Sequence, residues 1–175
     1  MTVRVLLGID PGSRVTGYGV IRVESGRVEY LDSGCIRAKA LKDDIPSRLL
    51  AIYNGIQTLV AQYQPDEVAV EDIFVAHNVQ SALKLGHARG AAIVAATAAA
   101  LPVFEYSARQ VKQAIVGYGN ADKSQVQHMV QQLLGLDKVP ASDAADALAV
   151  ALCHWHSQKA FAKVGRSRST RGRIR

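Results

Sequence analysis

Four carboxylates stand where a folded chain could gather them: Asp10, Glu71, Asp143 and Asp146. Asp10 closes the mostly apolar run Val5-Leu6-Leu7-Gly8-Ile9, and Glu71 closes Glu67-Val68-Ala69-Val70. Asp143 and Asp146 are three apart in an Ala/Leu-rich stretch, which puts both on one face of a helix's first turn. Converging carboxylates repel: at about 4 Å and an effective dielectric near 20, each pair costs roughly 4 kcal/mol. Four of them must protonate, stay apart or hold a cation. Hard oxygen donors select Mg²⁺ or Mn²⁺ and disfavour zinc. Two such ions about 4 Å apart would stabilise the attacking and the leaving oxygen of an in-line phosphodiester hydrolysis. The expected chemistry is that of a nuclease whose nucleophile is water. Each acid also has a plainer role available. Asp10 can start a turn, and acids in the first turn of a helix are favoured by its dipole.

For the four to meet, two strand ends and one helix start must share an edge. The run before Asp10 suits a strand buried on both faces in mid-sheet, and sites on α/β sheets form at C-terminal strand ends. Pro11 and Gly12 suit the centre of a type II turn, with Gly12 supplying φ > 0. Residues 15–23 then return antiparallel to the first strand, and residues 28–36 form a third after the polar loop Glu24-Ser25-Gly26-Arg27. Three strands followed by helices open an α+β or mixed sheet. Asp43 or Asp44 caps a helix with Pro46 in its first turn, running to Gln64 and stopped by Pro65. That crossover makes strand 67–71 parallel to an earlier strand, most simply the first, which brings Glu71 beside Asp10.

A helix over 79–100 carries Gly86 and Gly90 on one face, each costing about 1 kcal/mol of propensity relative to Ala. Either the sheet or a second copy of the helix must come close there. Residues 103–106 form a fifth strand. Ser107 caps a helix through Val116, and Asp122 opens another that Gly135 ends. Ser142 caps the last helix, which presents Asp143 and Asp146. His154 and His156 lie at its far end as dipole partners or core residues rather than metal ligands.

A chain of 175 residues, 49% of them hydrophobic, reads as one domain that buries roughly 70% of its unfolded surface. No run spans a bilayer and no cleavable signal opens the chain, so a soluble, cytoplasmic protein is expected. Cys35 and Cys153 form no CxxC pair and read as reduced thiols. Of the net charge of +6, Arg166, Arg168, Arg171, Arg173 and Arg175 supply nearly all, leaving the body at about +1. The division expected is a domain over 1–158 and a basic, disordered tail over 159–175. Such a tail suits phosphate backbones, although many only solubilise.

Five stretches resemble the RuvC family of bacterial Holliday-junction resolvases. They are Gly8-Ile9-Asp10-Pro11-Gly12-Ser13-Arg14-Val15-Thr16-Gly17-Tyr18-Gly19, Ser81-Ala82-Leu83-Lys84-Leu85-Gly86, Ala108-Arg109-Gln110-Val111-Lys112-Gln113, Lys123-Ser124-Gln125-Val126-Gln127 and Asp143-Ala144-Ala145-Asp146-Ala147-Leu148-Ala149. The likeness runs in order over about residues 3–156. It implies an α/β, ribonuclease-H-like fold. Its mixed five-stranded sheet would have strands 1–3 antiparallel, strands 4–5 parallel to strand 1, and helices on both faces. It further implies a homodimer that makes symmetric, Mg²⁺-dependent nicks in two like-polarity strands of a four-way DNA junction. That work would serve recombination and DNA repair alongside the RuvA–RuvB branch-migration complex.

By position, the resemblance makes Asp10, Glu71, Asp143 and Asp146 the catalytic, metal-holding acids, with two Mg²⁺ per site and Mn²⁺ able to substitute. Phe74 would stack on an unpaired base, an interaction worth roughly 1–3 kcal/mol. Asn78, Lys112 and Lys123 would contact DNA. Asp72 is an extra acid beside Glu71, with an open effect on local electrostatics. Three rivals remain. An actin/sugar-kinase ATPase would share the first strand and turn but needs two closing domains. A non-catalytic junction-binding module would have lost acids. A ribonuclease-H-like enzyme acting on RNA–DNA hybrids differs only in substrate.

Overall fold

The computed structural model describes residues 3–38, 44–72 and 78–170, with side chains through residue 160. The run that ends in Asp10 forms β1 (Arg4–Asp10), the middle of a five-stranded sheet. On one side it pairs antiparallel with β2 (Val15–Glu24), which pairs antiparallel with β3 (Arg27–Arg37). On the other it pairs parallel with β4 (Glu67–Asp72), and β4 pairs parallel with β5 (Val103–Ser107). The order is β3-β2-β1-β4-β5, the expected ribonuclease-H-like arrangement.

Side chains of β1 alternate between two cores, as a period of two requires. Leu7 and Ile9 pack with α1 (Ile45–Tyr63) and α2 (Val79–Ala98) through Ile52, Ile56, Ala88 and Ala92. Leu6 faces the opposite layer, made of α3 (Ala108–Val116), α4 (Lys123–Leu134) and α5 (Ser142–Thr170). Val111, Val126, Leu148 and Leu152 fill that side. Asp44 caps α1 by accepting from Ser47 N at 2.8 Å; Asp43 lies outside the described residues. Ser107 and Asp122 each form a capping box, fixing where α3 and α4 begin.

Helix α5 lies unusually close to the sheet, and glycines make this possible. A Cβ on Gly8 would stand 2.2 Å from the Ala147 carbonyl oxygen, and one on Gly17 would stand 2.0 Å from that of Asp143. A Cβ on Gly19 would meet Leu148 Cδ2 at 2.7 Å. Three bare strand positions facing an alanine-rich helix let the two backbones approach, and the start of α5 comes to rest beside the end of β1.

Two expectations need correction. Gly12 does not take up the left-handed φ of a type II turn, which among the described glycines belongs to Gly26, Gly117 and Gly135. Its requirement is steric, since a Cβ would fall 2.0 Å from the Val15 carbonyl oxygen. Buried Thr16 closes this loop, donating from Oγ1 to Gly12 O at 3.0 Å and lying 3.3 Å from Gly12 N. Ser142 is the first helical residue of α5 rather than its cap, and Ala141 O accepts the first bond, from Ala145 N at 2.8 Å. Helix α5 runs on past residue 158 to Thr170. As for Gly86 and Gly90, nothing among the described residues lies within 4 Å of where their Cβ atoms would be. The sheet therefore does not cover that face of α2.

Candidate active site

Parallel register sets the first contact. Ile9 pairs with Val70, so the residues that follow, Asp10 and Glu71, end adjacent strands on one edge. Their carboxyls hydrogen-bond each other. Burial, this hydrogen bond and the charges of Glu71 and Asp146 push Asp10 up to about 8. Burial also raises Glu71, with Asp146 adding to it and the Asp10 bond working against it. Two buried carboxyls in contact beside a third acid make the electrostatic condition that a cation would relieve.

From the second turn of α5, Asp146 enters the same cleft, a space of about 270 Å³ that is also lined by Lys112 and Lys123. Lys123 Nζ donates to Asp146 Oδ2 at 2.9 Å. The bond to Asp146 comes first among the causes that raise the Lys123 ammonium, ahead of the charges of Asp10 and Asp143. Ala108 and Lys123, the first residues of α3 and α4, both line the cleft, so the positive ends of two helices face it. A depression of about 490 Å³ at Arg22, Glu24, Arg27 and Glu29 is larger. It sits on the β2–β3 hairpin around an exposed Arg22–Glu29 pair and gathers no set of like charges.

Asp143 is half-buried beside the cleft rather than in its wall. Its backbone rests against Gly17, the partner of Cys35. Burial and then the charge of Asp143 push the Cys35 thiol up, which locates the carboxylate toward β3. Among the described residues no three acid, thiol or imidazole groups are already spaced to hold a metal ion. Lys123 engages Asp146, and Asp10 and Glu71 engage each other. The donors themselves fit a hard divalent ion, being all carboxylate oxygen and crowded.

Asp72 turns out of the site. Successive strand residues face opposite ways, and its carboxylate pairs with Arg89 of α2 at 3.2 Å, while Arg89 also pairs with Glu105. Asn78 caps α2, its side-chain oxygen accepting from Gln80 N at 2.9 Å and Ser81 N at 3.3 Å. Phe74 and its neighbour His77 lie outside the described residues.

The sequence reading missed a polar cluster at the opposite end of β4. His154, fully buried, spans from the Tyr106 hydroxyl at Nδ1 (2.7 Å) to Glu67 Oε2 at Nε2 (2.7 Å). Gln158 Nε2 donates to the same Glu67 oxygen at 2.7 Å, and Arg4 Nη1 lies 3.4 Å from Oε1. A neutral ring satisfies both ends, accepting from Tyr106 and donating to Glu67. This cluster pins α5 to β4 and β5. The core role expected of His154 is met, and His156 Nδ1 lies 3.1 Å from Ala114 O.

Residues 6–154 match the family described as crossover junction endodeoxyribonuclease RuvC. The chain is 59% identical over 173 residues to the RuvC of Shewanella loihica, across 98% of this chain and 99% of that one. It is likewise 59% identical to the protein from Klebsiella pneumoniae, with the same coverage. Thermus thermophilus RuvC in complex with a Holliday junction substrate superposes with a TM-score of 0.82 at 36% identity, over 89% of this chain and 94% of that one. The yeast mitochondrial Holliday junction resolvase Ydc2 shares the fold, with a TM-score of 0.62 at 14% identity over 87% of this chain and 80% of that one. With the sheet order, the acid-lined cleft and near-full-length likeness in agreement, the chain belongs to the RuvC family of crossover junction endodeoxyribonucleases.

Proposed function

We infer that this protein resolves four-way DNA junctions by hydrolysing phosphodiester bonds, nicking two strands of like polarity symmetrically in recombination and DNA repair. One observation carries the reading: Asp10 and Glu71, from strands far apart in sequence, meet Asp146 in a cleft that two lysines also line. Asp10, Glu71, Asp143 and Asp146 would hold Mg²⁺, two ions per site, with Mn²⁺ able to substitute. Bound there, the ions supply the charge that steadies the reacting phosphodiester and activates water. The chain's own part is positioning. Lys112, Lys123 and the starts of α3 and α4 draw the strand phosphates into the cleft. Phe74 stacks on an unpaired base, and Asn78, at the start of α2, contacts the DNA.

The outer face of α2 suits a homodimer. Val79, Leu83 and Val94 are 72%, 58% and 57% exposed and flank Gly86 and Gly90 on one side of the helix. A two-fold dimer would present equivalent clefts to opposite strands of a junction that is itself nearly two-fold. The RuvA–RuvB complex is the expected partner and the cytoplasm the expected compartment. Among the described residues no helix is long and apolar enough to cross a membrane. Beyond the 1–158 domain, the arginines of segment 159–175 add phosphate contacts.

The test is cleavage of a synthetic mobile four-way junction, with Mg²⁺ or EDTA, mapped on all four strands beside duplex and RNA–DNA hybrid controls. Paired symmetric nicks that EDTA abolishes support the assignment. Cutting of the hybrid alone overturns the substrate, and tight binding without cutting leaves a binding module.

A further inference from the structure

Lys123 opens α4 with its ammonium aimed back into the acid cluster. Nζ donates to Asp146 Oδ2 at 2.9 Å and approaches Ser142 Oγ at 3.4 Å. The two partners differ in setting: the Asp146 side chain is 19% exposed and that of Lys123 68%. The carboxylate is fixed in the cleft wall, while the cation reaches it from the solvent side. Ion pairs with one partner so exposed are weak, about 1 kcal/mol or less, so this one opens readily. While it stands, it takes an oxygen that a metal ion would need and puts a like charge beside the carboxylates that would hold that ion.

We propose that Lys123 is the acid cluster's built-in counter-cation: it must leave Asp146 before a divalent ion can be held there, and its departure frees it for a strand phosphate. Metal loading and DNA engagement then pass through one side chain. The inference rests on the assignment of Asp10, Glu71, Asp143 and Asp146 as metal ligands. It differs from a plain phosphate contact in one respect, since a phosphate contact leaves metal affinity unchanged when no DNA is present.

The experiment is Mn²⁺ titration of the full-length protein without DNA, followed by the electron paramagnetic resonance signal of the free ion. Lys123→Met should bind Mn²⁺ roughly fivefold more tightly than the parent protein, the equivalent of losing one exposed ion pair. Lys123→Arg, which keeps the charge, should bind no more tightly than the parent, and Asp146→Asn should bind more weakly. Lys112→Met is the control for general charge, because Lys112 acts on Glu71 only through space. If Lys123→Met does not tighten binding, or Lys112→Met tightens it equally, while Asp146→Asn still weakens it, the proposal fails and the acid site stands. If Asp146→Asn binds Mn²⁺ as the parent does, the ligand assignment fails and the proposal with it.

Discussion

Asp10 and Glu71 end adjacent parallel strands, and each carboxyl shifts the other's pKa through a direct side-chain contact. Burial and neighbouring acids lift Asp10 to about 8. The same crowding of acids would favour a cation between them.

A pH dependence follows. A carboxyl whose folded pKa lies above its unfolded value of 3.8 favours the folded state in acid and loses that contribution as pH rises toward about 8. Asp10→Asn removes the titration but keeps a polar side chain. Without metal, the melting temperature of Asp10→Asn should gain on that of the parent between pH 5 and 8, by about 5 °C or more for a chain of this size. Mg²⁺ should narrow the gap. Thermal melts that run parallel across this range would contradict the account.

The closeness of α5 to the sheet makes Gly17 a sensitive position. In Gly17→Ala the new Cβ would lie 2.0 Å from the Asp143 carbonyl oxygen, a backbone atom that cannot move without the helix. The expected cost is about 2–3 kcal/mol in urea unfolding. Junction cleavage should fall more than about tenfold, since a misplacement of about 1 Å is enough to cost that much. Normal cleavage in this variant would show that the start of α5 need not be held so tightly.

At the other end of the sheet, His154 should govern acid stability. Burial lowers its pKa against the opposing pull of Glu67. Burial raises Glu67, but bonds from His154 and Gln158 outweigh it and leave a net lowering. Both groups bind fewer protons when folded, so their stabilisation fades as pH falls, His154 below 6.5 and then Glu67 below 4.5. His154→Ala, which orphans Glu67 and Tyr106 and leaves a cavity, should cost about 3 kcal/mol at pH 7.5 by urea unfolding. Its stability should also fall less than the parent's between pH 7 and 5. An undiminished acid slope would place that sensitivity elsewhere.

The alignment of strand ends was legible in the sequence because it needs only local rules. An apolar run ending in Asp10, a helical crossover and a second run ending in Glu71 leave little choice of register. The capping residues Ser107 and Asp122 were legible for the same reason, since each acts within four residues of itself. Contacts made across the fold were not. Nothing in one sequence shows that Gly8, Gly17 and Gly19 face α5, or that Glu67, Tyr106 and His154 meet. Gly12 was misread because a steric demand and a left-handed φ select the same residue. Lys123 was read as a DNA contact, and its bond to Asp146 became visible only once α4 and α5 were packed together.

The open face of α2 gives a clean test of assembly. Because no described atom lies within 4 Å of a Cβ at Gly86, Gly86→Leu should leave the protomer folded. It should raise the dimer dissociation constant by at least about tenfold in analytical ultracentrifugation, through steric exclusion of the second helix. An unchanged constant would move the two-fold contact to another surface.

The central claim is that Asp10 and Glu71 serve the cutting step rather than the fold or DNA capture. The most direct measurement sets junction affinity and junction cleavage side by side for Asp10→Asn and Glu71→Gln at saturating Mg²⁺. Both variants should bind the four-way junction within about threefold of the parent and cleave it more than about a thousandfold more slowly, in line with losing groups that act together. Cleavage within tenfold of the parent in either variant, or lost binding with cleavage intact, would contradict the account.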